Sequence, residues 1–219
     1  MSFGINTSSS NCQIFNCQGV GVQLKDTSIA NFNDTVFANN LLPQLFLSER
    51  SICTLKDTTI KEGKQVGIFI EKNSSCSIVT STIMRHENTA ITVISSELFI
   101  MDCTIEQNKG NGILMVDRAN TTVEGCHFIQ NDMPHIAGKD HATVTISNSE
   151  LLGGKGIFMI DSCQLDVRES VIKDGTGVQV EIVDQTKATL YKTQISNGEN
   201  NGIKVMKDAT MHIIESQVT

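Results

Sequence analysis

Apolar and polar residues alternate along this chain in short bursts, and the bursts recur. In the stretch from Asp102 to Met115, small Cys103 is followed two positions on by Ile105 and three later by Asn108, then by Gly112 with Ile113 and Met115 flanking Leu114. Anchored on the small residue, this frame occurs ten times, at Cys17, Thr35, Thr58, Ser81, Cys103, Cys126, Ser149, Ser170, Thr193 and Ser216. The mean spacing is about 22 residues, a period that belongs to solenoids, propellers and arrays. Three positions before each anchor the residue is apolar, from Ile14 through Ile100, Val123 and Ile146 to Ile213. Two positions after it the residue is again apolar, except Gly19.

Five positions after the anchor stand Asn40, Gly63, Asn108, Asn131, Gly154, Gly175 and Gly198, residues that tolerate positive φ and so predict turns; His86 alone departs. Beyond the turn, inward pairs such as Val22 and Leu24, Ile68 and Ile70, Ile113 and Met115, and Val178 and Val180 alternate with single outward residues. Alternation with period two means strands. Each unit therefore carries two or three strands too short to enclose a core alone, and units must stack to bury one. The fold predicted is all-β: a single-stranded right-handed parallel β-helix of about ten rungs, at about 4.8 Å per rung a rod roughly 45 Å long. One such domain covers residues 1–219. The chain opens inside a rung at Gly4-Ile5, closes mid-rung at Thr219 and has no capping element, so a fragment of a longer chain is expected. From Met133 to His141 the repeat is expected to break, with Gly138 where a large inward residue belongs.

The seven cysteines follow the repeat more than a disulfide framework. Cys17, Cys103 and Cys126 take the anchor, Cys12, Cys53 and Cys76 the inward position five before it, and Cys163 neither. Buried structural thiols and a reducing, intracellular (cytoplasmic) location follow, with a secreted alternative. Cys103 with Cys126 and Cys53 with Cys76 would lie one rung apart, within disulfide range. No zinc-type Cys/His spacing appears, so neither metal nor cofactor is expected. The net charge of −7 argues against nucleic acid, and no apolar run is long enough to span a membrane.

Three surfaces are candidates. Beyond the turns, the outward column Gln23, Phe46, Phe69, Thr92, Leu114, Ala137, Phe158, Gln179 and Lys204 places large apolar groups at Phe46, Phe69, Leu114 and Phe158, which suggests a protein contact. On the outer face of the first sheet, Glu124, Asp166, Arg168, Tyr191 and His212 could line a shallow groove, although paired carboxylates on adjacent rungs, which glycosidic hydrolysis commonly uses, are missing. The irregular segment offers a pocket of His135, Lys139, Asp140 and His141. An acidic row before the anchors (Asn16, Asp34, Asp57, Asp102, Asn148, Glu169, Glu215) is explained by turn formation without calcium.

Units such as Cys103 to Asn108 followed by Gly112 to Met115 resemble the parallel β-helix repeat of the pectin lyase-like superfamily. Within it they are most similar to the repeats of the carbohydrate-binding and sugar-hydrolase group, found also in F-box-linked receptors and spindle-associated adaptors. The resemblance covers nearly all of the chain and implies the fold, not an activity. The outer face of the first sheet is where polysaccharide-cleaving members keep their acids and bases, yet no catalytic motif carries over. The leading expectation is a non-catalytic protein-interaction or scaffold module. The alternative is a polysaccharide-binding or polysaccharide-cleaving (lyase or hydrolase) protein acting through Glu124, Asp166, Arg168 and Tyr191.

Overall fold

The computed structural model describes residues 6–219, so the strand fragment expected at Gly4-Ile5 lies outside the described residues. Among those residues every regular element is a strand, and the strands sort into three parallel sheets of ten, ten and nine. One rung contributes Glu97–Met101 to the first sheet, Thr104–Glu106 to the second and Ile113–Val116 to the third. Each strand pairs with its equivalents one rung before and after. Ile100, Val123 and Ile146 are consecutive register partners and fully buried, so like side chains stack along one axis. This is the predicted β-helix.

The small anchor residue has a defined task. Its side chain accepts the backbone N–H of the anchor one rung back, as Ser81 Oγ does from Thr58 (3.0 Å) and Ser149 Oγ from Cys126 (3.1 Å). The same group donates to the carbonyl two residues earlier, Ser81 to Val79 at 2.8 Å and Cys126 to Glu124 at 3.2 Å. Ser, Thr and Cys fit because each pairs a compact volume with a donor and acceptor. The residue just before the anchor turns the corner with positive φ, from Asp34 (48°) to Glu215 (49°).

Several sequence expectations need correction. In the first rung the anchor is Cys12, since Ile14 pairs with Phe37 in the second sheet. Cys17 then sits in the position five beyond, its N–H bonded to Asn40 Oδ1 at 2.9 Å, and the Gly19 exception disappears. The positive-φ corner after the second sheet is one residue earlier than expected, at Asn39, Glu62, Arg85, Gln107 and Gln130; Asn16 belongs to this row. Asn40, Asn108 and Asn131 instead point inward and are buried. Asparagine recurs there for its amide, not its tolerance of strain, and His86 does not depart. It takes the Gly63 N–H on Nδ1 (3.1 Å) and gives its own N–H to Asn108 Oδ1 (3.0 Å).

Val178 is not the first member of an inward pair; Val180 and Ile182 are, and Glu181, not Gln179, is the outward residue of that rung. The alternation Val178-Gln179-Val180-Glu181-Ile182 fits either register. Gln179 is drawn inside because Gly175 and Gly198 leave space against its side chain, where Nε2 donates to the Ser196 carbonyl at 2.8 Å. The segment from Met133 to His141 does not break the solenoid: Pro134–Gly138 is an ordinary third-sheet strand, with Gly138 in register between Met115 and Met159. Cys163 also occupies a column, the inward corner shared with Ser51, Ser74, Ser96 and Thr186. All seven cysteines are free thiols, and Cys53 and Cys76 are register partners.

Candidate functional site

First-sheet strands are five residues long, so each shows three outward residues. Gln164–Arg168 presents Gln164, Asp166 and Arg168; Lys187–Tyr191 presents Lys187, Thr189 and Tyr191; Thr210–Ile214 presents Thr210, His212 and Ile214. In register these make one column of Thr143, Gln164, Lys187 and Thr210, and a second of Thr145, Asp166, Thr189 and His212. The two columns line an open groove of about 490 Å³, floored by Val144, Leu165 and Ala188. The first column was missed because the strand begins one alternation earlier than the repeat frame implied. A polar residue directly before each of the inward Val144, Leu165 and Ala188 was the available signal.

Asp166 and Arg168 stand on one strand and form a two-pronged pair, Nε to Oδ1 at 3.0 Å and Nη2 to Oδ2 at 2.7 Å. Tyr191 is the register partner of Arg168, and Lys192 Nζ lies 5.0 Å from the Tyr191 ring centre. Glu124 is set apart: Ser147 separates it from Arg168 in the same column, so it lies two rungs, or about 10 Å, along the axis. The structure thus gathers Asp166, Arg168, Tyr191 and His212 on neighbouring rungs and leaves Glu124 outside.

On the third sheet, Phe46, Phe69, Leu114 and Phe158 do share one outward column. Only Phe46 and Phe69 touch, stacked at 5.6 Å and 15°, with Lys25 Nζ 6.0 Å from the Phe46 ring. Thr92 and Ala137 interrupt the rest of the stripe, and all four large residues are half-buried. Phe158 borders a separate groove of about 320 Å³ with Met133, Pro134, Lys155, Val178 and Glu181.

His135, Lys139, Asp140 and His141 do not converge. His135 is fully buried, accepting from Asn131 Nδ2 at 3.0 Å and donating from Nε2 to the Gly153 carbonyl at 2.6 Å; burial pushes its pKa down to about 4. Lys139 and Asp140 pair at the surface at 3.7 Å, and His141 is exposed at the corner. Among the described residues no group of three or more His, Cys, Asp or Glu side chains is placed to hold a metal ion.

Comparison with solved structures finds likeness of fold. ORF18 of Geobacillus virus E2 is 10% identical with a TM-score of 0.59, over 98% of this chain and 54% of that one. The enzymatically active domain of bacteriophage CBA120 tailspike protein 4 is 11% identical with a TM-score of 0.53, over 99% and 40%. Tailspike protein gp49 of Acinetobacter baumannii bacteriophage Fri1, a capsular polysaccharide depolymerase, is 9% identical with a TM-score of 0.38, over 90% and 48%. The chain thus spans about half the length of these proteins or less. No curated protein sequence matches it. The sequence profile described as the right handed beta helix region matches residues 3–142 and 134–219, and the chain belongs to that family.

Proposed function

We propose that this chain is a polysaccharide-binding β-helix whose ligand lies in the groove on the outer face of the first sheet. The observation that carries this reading is the lining: hydroxyl, amide and charged side chains from Thr143, Thr145, Gln164, Asp166, Lys187, Thr189, Thr210 and His212 border one open trough. An open, polar, repeating surface suits an extended chain of hydroxyl-rich units, whereas an enclosed apolar cavity suits a small molecule. The rung spacing of about 4.8 Å is comparable with the length of one sugar ring, so a glycan running along the axis would meet equivalent groups at successive units. Polysaccharide-cleaving members of the superfamily whose repeats it resembles keep their acids and bases on this face, and this, with the likeness of fold to an enzymatically active phage tailspike domain, supports it.

The reading is of binding. Asp166 is taken up by Arg168, and Glu124 lies too far along the axis to act with it as a carboxylate pair. The scaffold expectation keeps one supporting feature, the Phe46–Phe69 stack on the opposite sheet. A panel of bacterial capsular polysaccharides, measured by biolayer interferometry, separates the two. Thr189→Trp, which fills the groove, should weaken glycan binding at least tenfold, and Phe69→Ser should not. Glycan binding untouched by Thr189→Trp, or absent across the panel, overturns the proposal.

A further inference from the structure

We infer that the groove contains an anion subsite at Lys187, which would seat a carboxylate or sulfate substituent of the bound glycan; this rests on the polysaccharide reading above. Lys187 stands where two depressions meet. One is the trough already described, and the other is a corner groove of about 250 Å³ lined by Ser162, Cys163, Gln164, Gln185 and Lys187. The corner groove therefore offers one cation together with a hydroxyl and two amides as neutral donors. No carboxylate lines it.

In the trough the one carboxylate, Asp166, is occupied on both oxygens by Arg168. The neighbouring lysines are also committed: Lys204 to Glu181 at 2.9 Å, Lys207 to Asp184 at 3.5 Å and Lys192 to Glu215 at 3.9 Å. Lys187 has neither an ion pair nor a side-chain hydrogen bond among the described residues. Asp161 and Asp184 lie on the adjoining corner row, outside the lining of both depressions. An ammonium group with three free donors, bordered by neutral donors, recognises a compact anion as a point charge. The chain as a whole carries −7, so a polyanion is repelled at long range and binds only where a local site favours it.

Isothermal titration calorimetry tests this with polygalacturonate and alginate against their carboxyl-reduced forms, and dextran sulfate against dextran. The expected result is that an anionic polymer binds at least tenfold more tightly than its neutral partner. Which pair shows the difference distinguishes carboxylate from sulfate. Lys187→Gln should abolish the preference, Lys187→Arg should keep it, and Lys64→Gln, the same charge change away from both depressions, should leave it intact, with circular dichroism confirming the fold of each variant. Equal binding of charged and neutral forms overturns the anion subsite and leaves the groove reading standing. A preference that survives Lys187→Gln removes Lys187 from the role, and binding of none of the polymers overturns the anion subsite, while the groove reading stands or falls on the capsular panel.

Discussion

Asn108 and Asn131 are joined side chain to side chain inside the solenoid, Nδ2 of the first donating to Oδ1 of the second at 2.8 Å. The same oxygen accepts the Asn108 backbone N–H at 3.1 Å, and Asn131 Nδ2 donates in turn to the Ile105 carbonyl at 3.1 Å. The ladder continues through His86, whose N–H reaches Asn108 Oδ1. A corner residue enclosed by the next rung cannot give its N–H to water, so a side-chain oxygen one rung on must take it.

Asn131→Ala would leave the Asn108 backbone N–H unpaired and its Nδ2 with only the 3.4 Å bond to the Ile83 carbonyl. At roughly 1–3 kcal/mol for each unsatisfied group, a loss of about 3 kcal/mol is expected, read as a lower urea midpoint at unchanged slope. Asn120→Ala, on the exposed start of a first-sheet strand, should stay within about 0.5 kcal/mol. Equal effects from the two substitutions would refute the ladder's role.

The fold was legible in the sequence because each inward column tolerates only a narrow class of residue, as Ile100, Val123 and Ile146 illustrate. Two things were not legible. Register within a run of alternating residues is ambiguous by two, and at Gln179 the outcome turned on space left by Gly175, four residues before it, and Gly198, one rung on. The groove was half legible: Asp166, Arg168, Tyr191 and His212 were placed on the correct face, while Lys187 and Gln164 belong to a column that appears only once the strand's true start is known. Periodicity reports what repeats, and the column of Lys187 is mixed, running through Ile52, Ser75, Glu97, Asn120, Thr143 and Gln164 before it.

Acid should destabilise the protein through its two buried histidines. Each uses Nδ1 as acceptor and Nε2 as donor, His86 toward the Ile60 carbonyl and His135 toward that of Gly153, so both are neutral. Burial pushes each from the ordinary 6.5 down to about 4. As pH falls below 6.5 the unfolded chain takes up these protons first, so stability is complete above that value and drains away toward pH 4. Roughly 3 kcal/mol per histidine is at stake. Urea midpoints at pH 7 and pH 4.5 measure the loss. His135→Gln, which supplies an acceptor and a donor without titrating and matches Gln44 and Gln179 at the equivalent position, should reduce it by about half. An unchanged pH dependence in that variant would count against His135.

Two inward glycines should respond differently to alanine. A Cβ at Gly67 would lie 2.6 Å from the Ala90 carbonyl oxygen and 2.8 Å from His86 Nε2, both held in place by the rung above. At Gly138 the nearest atoms are Met159 Cε at 2.6 Å and Sδ at 2.8 Å, the end of a flexible chain. Backbone cannot yield as a thioether can, so Gly67→Ala should cost about 2–3 kcal/mol and Gly138→Ala under about 1 kcal/mol. Thermal melts of the two variants decide it, and a larger loss at Gly138 would contradict the packing described.

The thiols should divide by burial. Cys53, Cys76, Cys103, Cys126 and Cys163 are enclosed, while Cys12 and Cys17 are half-buried in the first rung. The neighbouring Cys53 thiol and burial hold the Cys76 pKa well above the ordinary range, the Cys126 thiol and burial do the same for Cys103, and burial pushes Cys163 up to about 11. Reagents attack the thiolate, so neither access nor ionisation favours Cys76, Cys103 and Cys163, while Cys126, whose pKa the Cys103 thiol lowers, is protected by burial alone. With a disulfide reagent at pH 8, at most two of the seven cysteines should react while the protein is folded, and all seven in 6 M guanidinium, which also shows that none is tied in a disulfide. Mass spectrometry of the labelled peptides should find Cys12 and Cys17 modified first. Early labelling of Cys53 or Cys76 would mean that the rungs around them open far more readily than their packing implies.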